Sequence, residues 1–281
     1  MKAITKNLLI AAATIIGILI VAVIIFPIYV IIVSSLSSAV SLFTPFQPFP
    51  NPLSFQAYYN VLFGSTARFF HRLGNSLFVS LLSLALTLAF VIPASYALSR
   101  FRFAGRRTLL YGYFAFNQFA AGMGLSGLIS LYAILNYLNL LDSLVVLAVI
   151  YTAGGIPFNT WLLKTYFDTI PKDFDEAAFV DGASYFDVIF RVLLPVAAPG
   201  IATVAVFSFM GSWGEFIIAN TLLSPENYTV PVSLNILLGS PATNWNLFAA
   251  MAILYALPVV VMYIIAQKYL QAGLAMGGVK R

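Results

Sequence analysis

Residues 8–33 read LLIAAATIIGILIVAVIIFPIYVIIV, 26 consecutive residues without a charge. At 1.5 Å per residue, a helix of about 20 residues crosses a hydrocarbon core of about 30 Å, so this run is long enough to span a membrane. Lys2 and Lys6 precede it, as basic residues precede secretory leaders, but the apolar region of a leader is usually about 7 to 15 residues. The run therefore reads as a retained span.

Five further apolar runs follow: Leu73 to Ser99, Thr108 to about Leu135, Ser143 to Leu163, about Val196 to Leu223, and about Leu247 to Gln267. Backbone groups in lipid must be satisfied within the segment, which makes each run a helix rather than a strand. Of 281 residues, 61% are hydrophobic, and the mean hydropathy is +0.96. That leaves too little polar surface to cover a water-soluble globule. The expected fold is all-α: a polytopic membrane protein with six transmembrane helices, one domain over 1–281 with its core at 73–270, embedded in a cell membrane.

The charges orient it. Formal net charge is +5, which in a soluble domain would point to nucleic acid, but here placement matters more than the sum. With the N-terminus inside, the cytoplasmic segments hold Lys2 and Lys6; Arg100, Arg102, Arg106 and Arg107; Lys164, Lys172 and Arg191; and Lys268, Lys280 and Arg281. Twelve of the fourteen cations thus lie inside, and only Arg68 and Arg72 outside. The positive-inside rule puts both termini in the cytoplasm, with the lipid bilayer and no nucleic acid as partner.

Outside, Pro45, Pro48, Pro50 and Pro52 break the connection after the first span, and a short amphipathic piece is expected near Phe55 to Phe63. No cysteine is present, which excludes disulfides and cysteine metal clusters. The single histidine, His71 beside Arg72 at a segment end, reads as an interfacial side chain.

Six of the nine acids fall in one stretch between the fourth and fifth spans: Asp168, Asp173, Asp175, Glu176, Asp181 and Asp187. Pro171 suits a first helical position, and Asp173, Asp175 and Glu176 then fall where the helix dipole favours negative charge. Gly182 interrupts the pattern. Ser184 with Asp187 three residues on reads as a capping box that starts a second short helix, and Pro195 leads into the fifth span. Two short helices around a glycine read either as a solvated loop or as a docking surface for a cytoplasmic partner.

One acid, Glu215, lies inside an apolar run. A charge at mid-membrane costs about 2.5 to 3.5 kcal/mol, so Glu215 is expected to face a cavity or a partner. Trp213 could stack on the ring of a bound molecule or simply anchor an interface. Asn117, Gln118 and Asn220 could bond hydroxyls of a bound molecule or tie helices together. These five residues are the candidate site within the spans.

Glu176-Ala177-Ala178, then Gly182, then Val192-Leu193-Leu194-Pro195 match the spacing of the EAA signature, which identifies the chain as resembling the permease subunits of ABC importers. YALSRFRFAGRR from Tyr96, FDTIPKDFDEAAFVDGAS from Phe167, SFMGSWGEF from Ser208, TVPVSL from Thr229 and the tail from Gln267 resemble the carbohydrate-uptake branch, particularly its second maltose-type subunit. Two departures are Gly214, where that branch often has Asn, and AAGMGLSG in the third span, in place of a proline-containing turn.

The resemblance implies a coupling loop at 164–195 whose helices sit in a cleft of a separate ATPase subunit. Glu176, Ala177, Ala178, Asp181, Gly182 and Pro195 would couple the spans to that ATPase. It further implies a second permease subunit, two cytoplasmic ATPase subunits and an extracellular solute-binding protein. ATP and Mg would be used by the ATPase, with no cofactor on this chain and no catalytic residue or metal site in it. The chain has no GxxxxGK[ST] loop, HExxH or GxSxG, so energy must arrive from another subunit. The implied solute is a mono- or oligosaccharide; glycerol phosphate, another small polar solute and ion-coupled secondary transport are the alternatives.

Overall fold

The computed structural model describes residues 2–38, 48–50, 52–64, 68–239 and 244–277, with the side chains of 2–5, 7–8, 114, 117–123 and 270–277 outside that description. The described residues are helical apart from loops and one isolated bridge between Ser37 and Leu53. In order the helices are α1 (Lys2–Ser35), α2 (Gln56–Phe63), α3 (Phe69–Arg100), α4 (Arg106–Tyr137), α5 (Leu144–Phe167) and α6 (Asp173–Val180). Then follow α7 (Tyr185–Asp187), a π-helical turn (Val188–Leu193), α8 (Leu194–Val196), α9 (Ala198–Gly214), α10 (Ile217–Leu222), α11 (Val230–Leu238) and α12 (Trp245–Gly277). Two compact units are formed, residues 1–70 with 234–256, and residues 71–233 with 257–281.

In the first unit α2 coincides with the expected amphipathic piece, and its Tyr58 hydroxyl meets Ser35 Oγ at 2.9 Å. In the second unit two apolar clusters, one around Val91, Leu163 and Val204 and one around Val79, Leu147 and Val232, form the core, and small polar side chains are buried beside them. The buried face of α3 carries Ser76, Ser80, Ser83, Thr87, Ser95 and Ser99 at three-, four- and eight-residue intervals, while Phe78, Leu81 and Phe90 point outward. Lipid is as apolar as leucine, so helices associate through small residues and short polar bonds rather than through hydrophobic burial. Thr152 Oγ1 donates to Ser83 Oγ at 3.3 Å, and Ser95 Oγ donates to the Thr160 carbonyl at 3.0 Å, stitching α3 to α5. Gly200 lets α9 close on α5: a Cβ there would stand 2.6 Å from the Tyr166 ring.

Among the described residues four helices are long and apolar enough to cross a membrane, within α1, α3, α5 and α12; the count rises to five when the bent pair Tyr185–Val196 and Ala198–Gly214 is taken as one span. Two of the six expected spans are not continuous helices. The third breaks at Gly124, whose φ of 45° and ψ of −131° suit glycine alone. The fifth ends at Gly214, passes through extended backbone at Glu215 and resumes as α10. Sequence hydropathy sees neither break, because both lie within apolar runs.

Candidate functional site

The acidic segment is fastened to the ends of α3 and α5. Arg100, the last residue of α3, pairs with Asp175 at 2.5 Å, both side chains being only 7% exposed. Arg100 also donates to the Phe167 carbonyl at 3.2 Å. Ser99 Oγ donates to Asp168 Oδ1 at 2.7 Å, and Lys164 pairs with the other oxygen of that carboxylate at 2.5 Å. Burial pushes the Asp175 carboxyl up, and the Arg100 guanidinium opposes it. Asp175 is thus a structural anchor, whereas its neighbours Asp173 and Glu176 are exposed.

The helix begins at Asp173 rather than at Pro171, which lies two residues before it; Lys172 takes the N-cap. At the other end Gly182 has φ 83°, its N–H donating to the Phe179 carbonyl and that of Ala183 to Ala178, both at 3.0 Å. This is the Schellman closure that favours glycine at the left-handed position. The expected capping box is present: Ser184 Oγ accepts from the Asp187 N–H at 3.3 Å, and the Ser184 N–H donates to Asp187 Oδ2 at 3.2 Å. The Ser184 donors hold the Asp187 carboxyl below its usual range.

From Ser184 the chain runs through α7, the π-turn and α8, then bends 85° into α9. Val188 and Leu193 are buried beneath it in a cluster with Tyr96, Leu163 and Phe167. Ala178 is half-buried against that same cluster, so it supports the segment from within, while Ala177 is exposed. Left open are Glu176, Ala177, Asp181, Gly182 and Pro195, together with Phe174, Phe179, Val180, Phe186 and Phe190. On this face large apolar side chains surround an exposed carboxylate.

A second constellation surrounds the break in the fifth run. Glu215 Oε1 accepts from the Ile218 N–H at 2.8 Å and Oε2 from the Ala219 N–H at 3.2 Å, so the carboxylate satisfies the first donors of α10. The Tyr151 hydroxyl of α5 donates to the same carboxylate. Tyr151, Glu215 and Ile218 line a cleft of about 320 Å³ between α5 and α9, with Ser208, Ser212 and Asn159. Asn159, 3% exposed, donates to the Gly155 carbonyl at 2.9 Å, while its Oδ1 has no partner among the described residues.

Trp213, by contrast, is 2% exposed and stacks on Phe209 with centroids 5.5 Å apart, which leaves it a packing role in this conformation. Asn220 is exposed, and the Asn117 and Gln118 side chains lie outside the described residues. His71 Nε2 lies 3.1 Å from the Glu226 carbonyl oxygen. Sequence reading missed Arg100 with Asp175, and Tyr151 and Asn159. The signals were present, an arginine closing a span and an amide inside another, but pairing them required the fold.

Among the described residues, no three His, Cys, Asp or Glu side chains converge to hold a metal ion. Residues 54–275 match the family of binding-protein-dependent transport system inner membrane components. The chain is 39% identical over 208 residues to the maltodextrin transport system permease protein MdxG of Bacillus subtilis (strain 168), covering 73% of this chain and 74% of that one. It is 36% identical over 207 residues to the inner membrane ABC transporter permease protein YcjP of Escherichia coli (strain K12), covering 73% of each. A chain of a bacterial ABC transporter involved in import of the acidic polysaccharide alginate superposes with a TM-score of 0.75 at 26% identity, over 94% of this chain and 96% of its own.

Proposed function

We infer that this chain, which belongs to the family of binding-protein-dependent transport system inner membrane components, is a permease subunit of an ATP-driven carbohydrate importer. It is a membrane-embedded transport subunit and not an enzyme; ATP is hydrolysed by a separate ATPase subunit. The observation that carries the reading is the segment from α6 to α8. It is fastened to α3 by the buried Arg100–Asp175 pair, folded on Gly182, and presents Glu176 amid exposed aromatic side chains.

In this reading the permease crosses the membrane six times, through α1, α3, α4, α5, α9 with α10, and α12, with both termini cytoplasmic. The exposed face of α6 to α8 docks in a cleft of the ATPase, with Glu176 paired to a basic residue there and Gly182, Ala177, Asp181 and Pro195 lining the contact. Closure of the ATPase dimer pushes on α6; Arg100 and the 85° bend pass that motion to α3 and α9. A second permease subunit, two ATPase subunits and an extracellular binding protein complete the machine, with ATP and Mg on the ATPase.

The solute path runs by Glu215, at the break between α9 and α10. Irregular backbone at membrane depth is tolerated where it lines a cavity, which supports this placement. Asn159, Ser208 and Ser212 offer hydroxyl-bonding groups beside it, Asn117, Gln118 and Asn220 belong to the same path, and Trp213 buttresses it from behind. Relatives named for maltodextrin and galactooligosaccharides support a saccharide as solute.

The test replaces Glu176 by Ala and Gly182 by Asp in the complete importer. Truncating one partner of a docked charge pair costs about 2 to 5 kcal/mol. Both variants should insert normally yet lose ATPase association and ATP-linked sugar uptake. Normal uptake by both would end the coupling account.

A further inference from the structure

Near the arginine-bearing end of α3 lies a feature that coupling does not use. Arg102, Arg106, Arg107 and Lys164 surround a cleft of about 710 Å³, and a second cleft of about 350 Å³ adjoins it, sharing Arg107, Leu110 and Lys164. Lys164 is neutralised by Asp168, but among the described residues no ion pair is made by Arg102, Arg106 or Arg107.

Two of these arginines occupy the first turn of α4, where the helix dipole disfavours cations, and no acid shares that turn. Its N-cap is Gly105, which brings no side-chain acceptor for the first N–H groups. Cations and a helix N-terminus facing one cleft together make a site for an anion.

The adjoining cleft states what kind of anion. It is lined by Tyr111, 74% exposed, and Trp161, 49% exposed, the latter three residues before Lys164 on α5. Aromatic side chains at this position, just membrane-ward of a cationic rim, form the belt that sits at the headgroup level of a bilayer. A free phosphate would use the basic cleft alone; a molecule that uses both needs a charged head and an apolar tail.

We propose that these clefts bind an anionic glycerophospholipid of the cytoplasmic leaflet, its phosphate held by Arg102, Arg106 and Arg107 and an acyl chain laid along Leu110, Tyr111 and Trp161. The site ties the α3–α4 connection and the end of α5 to the membrane surface, beside the segment that receives the ATPase stroke. It rests on the membrane reading of the chain, and its test does not involve uptake.

The experiment uses the purified, complete importer in detergent, titrated with phosphatidylglycerol, phosphatidylcholine or inorganic phosphate and read by native mass spectrometry. Each cation near a bilayer surface contributes enough that removing three lowers affinity on the order of 10- to 100-fold. Phosphatidylglycerol should be retained over phosphatidylcholine, and the Arg102→Gln/Arg106→Gln/Arg107→Gln variant should lose that preference. The same three positions changed to Lys should keep most of it, since the charge rather than the fold is at issue. In parallel, phosphatidylglycerol brominated on its chains should quench a fluorescence component that Trp161→Phe removes. Equal retention of both lipids, retention unchanged in the glutamine variant, displacement by millimolar phosphate, or quenching indifferent to Trp161 would each overturn the proposal; the last two would mean a plain anion site or a cleft covered by another subunit.

Discussion

Replacing Asp175 by Ala removes the carboxylate that meets Arg100 at 2.5 Å and leaves a guanidinium 7% exposed at the foot of α3. Breaking a buried pair by removing one partner costs about 3 to 5 kcal/mol, because the surviving charge stays buried without compensation. Arg100 keeps its bond to the Phe167 carbonyl at 3.2 Å and a long stem with which to reach water, so the lower end, about 3 kcal/mol, is expected. The loss falls on the first turn of α6, so the segment from α6 to α8 should loosen before the bundle does. Unfolding of the purified importer in mixed SDS and mild-detergent micelles measures the first effect, and protease accessibility between Lys164 and Arg191 the second. A double variant, Arg100→Met/Asp175→Leu, removes both charges and should recover most of the stability, while uptake stays impaired if the pair also transmits force. An Asp175→Ala cost under about 1 kcal/mol, or a double variant as unstable as the summed singles, would refute the assignment of this pair as a buried anchor.

Gly200→Ala sets a methyl 2.6 Å from the Tyr166 ring and should destabilise by about 1 to 3 kcal/mol, with recovery when Tyr166 is cut back to Ala; thermal midpoints of the two variants decide it. Glu215→Gln and Tyr151→Phe act on one hydrogen-bonded cluster, so a double-mutant cycle of unfolding free energies should show coupling of roughly 0.5 to 3 kcal/mol, and strict additivity would separate the two residues. Asp142 accepts from the Ser224 N–H at 2.7 Å and from its hydroxyl at 2.8 Å; burial pushes its carboxyl up, but the donors from Ser224 and Asn227 outweigh this and hold it below the ordinary 3.8. A depressed carboxyl contributes stability that is present above its unfolded value and lost as pH falls through its folded one, so the stability gap between wild type and Asp142→Asn should be constant from about pH 7 to 5 and close below about pH 4. A gap that widens on acidification would contradict that sign.

The cues that proved legible were local ones. Gly182 followed by Ser184 and Asp187 is a helix stop and a helix start written in adjacent residues, and the structure has the glycine closure and the capping box there. Pro171 misled by two residues, because proline is tolerated just before a helix as well as at its first position. Asp173, Asp175 and Glu176 look alike in sequence, all acids in one first turn. Only Asp175 points at α3, and that depends on how α6 is rolled against a helix 75 residues earlier in the chain.

Apolar runs of about 20 residues and more were enough to make this chain a helical membrane protein, because a run of that length in hydrocarbon satisfies its backbone within itself as a helix, and the residues from Glu176 to Pro195 were enough to resemble the signature of a transport family. Tertiary structure decided which apolar runs are broken, at Gly124 and at Glu215, and which polar groups pair across helices. Those outcomes follow from close approach between helices, where a missing Cβ at Gly200 or a serine facing a carbonyl sets the distance. Hydropathy averages over a span and carries no record of what stands opposite each side chain.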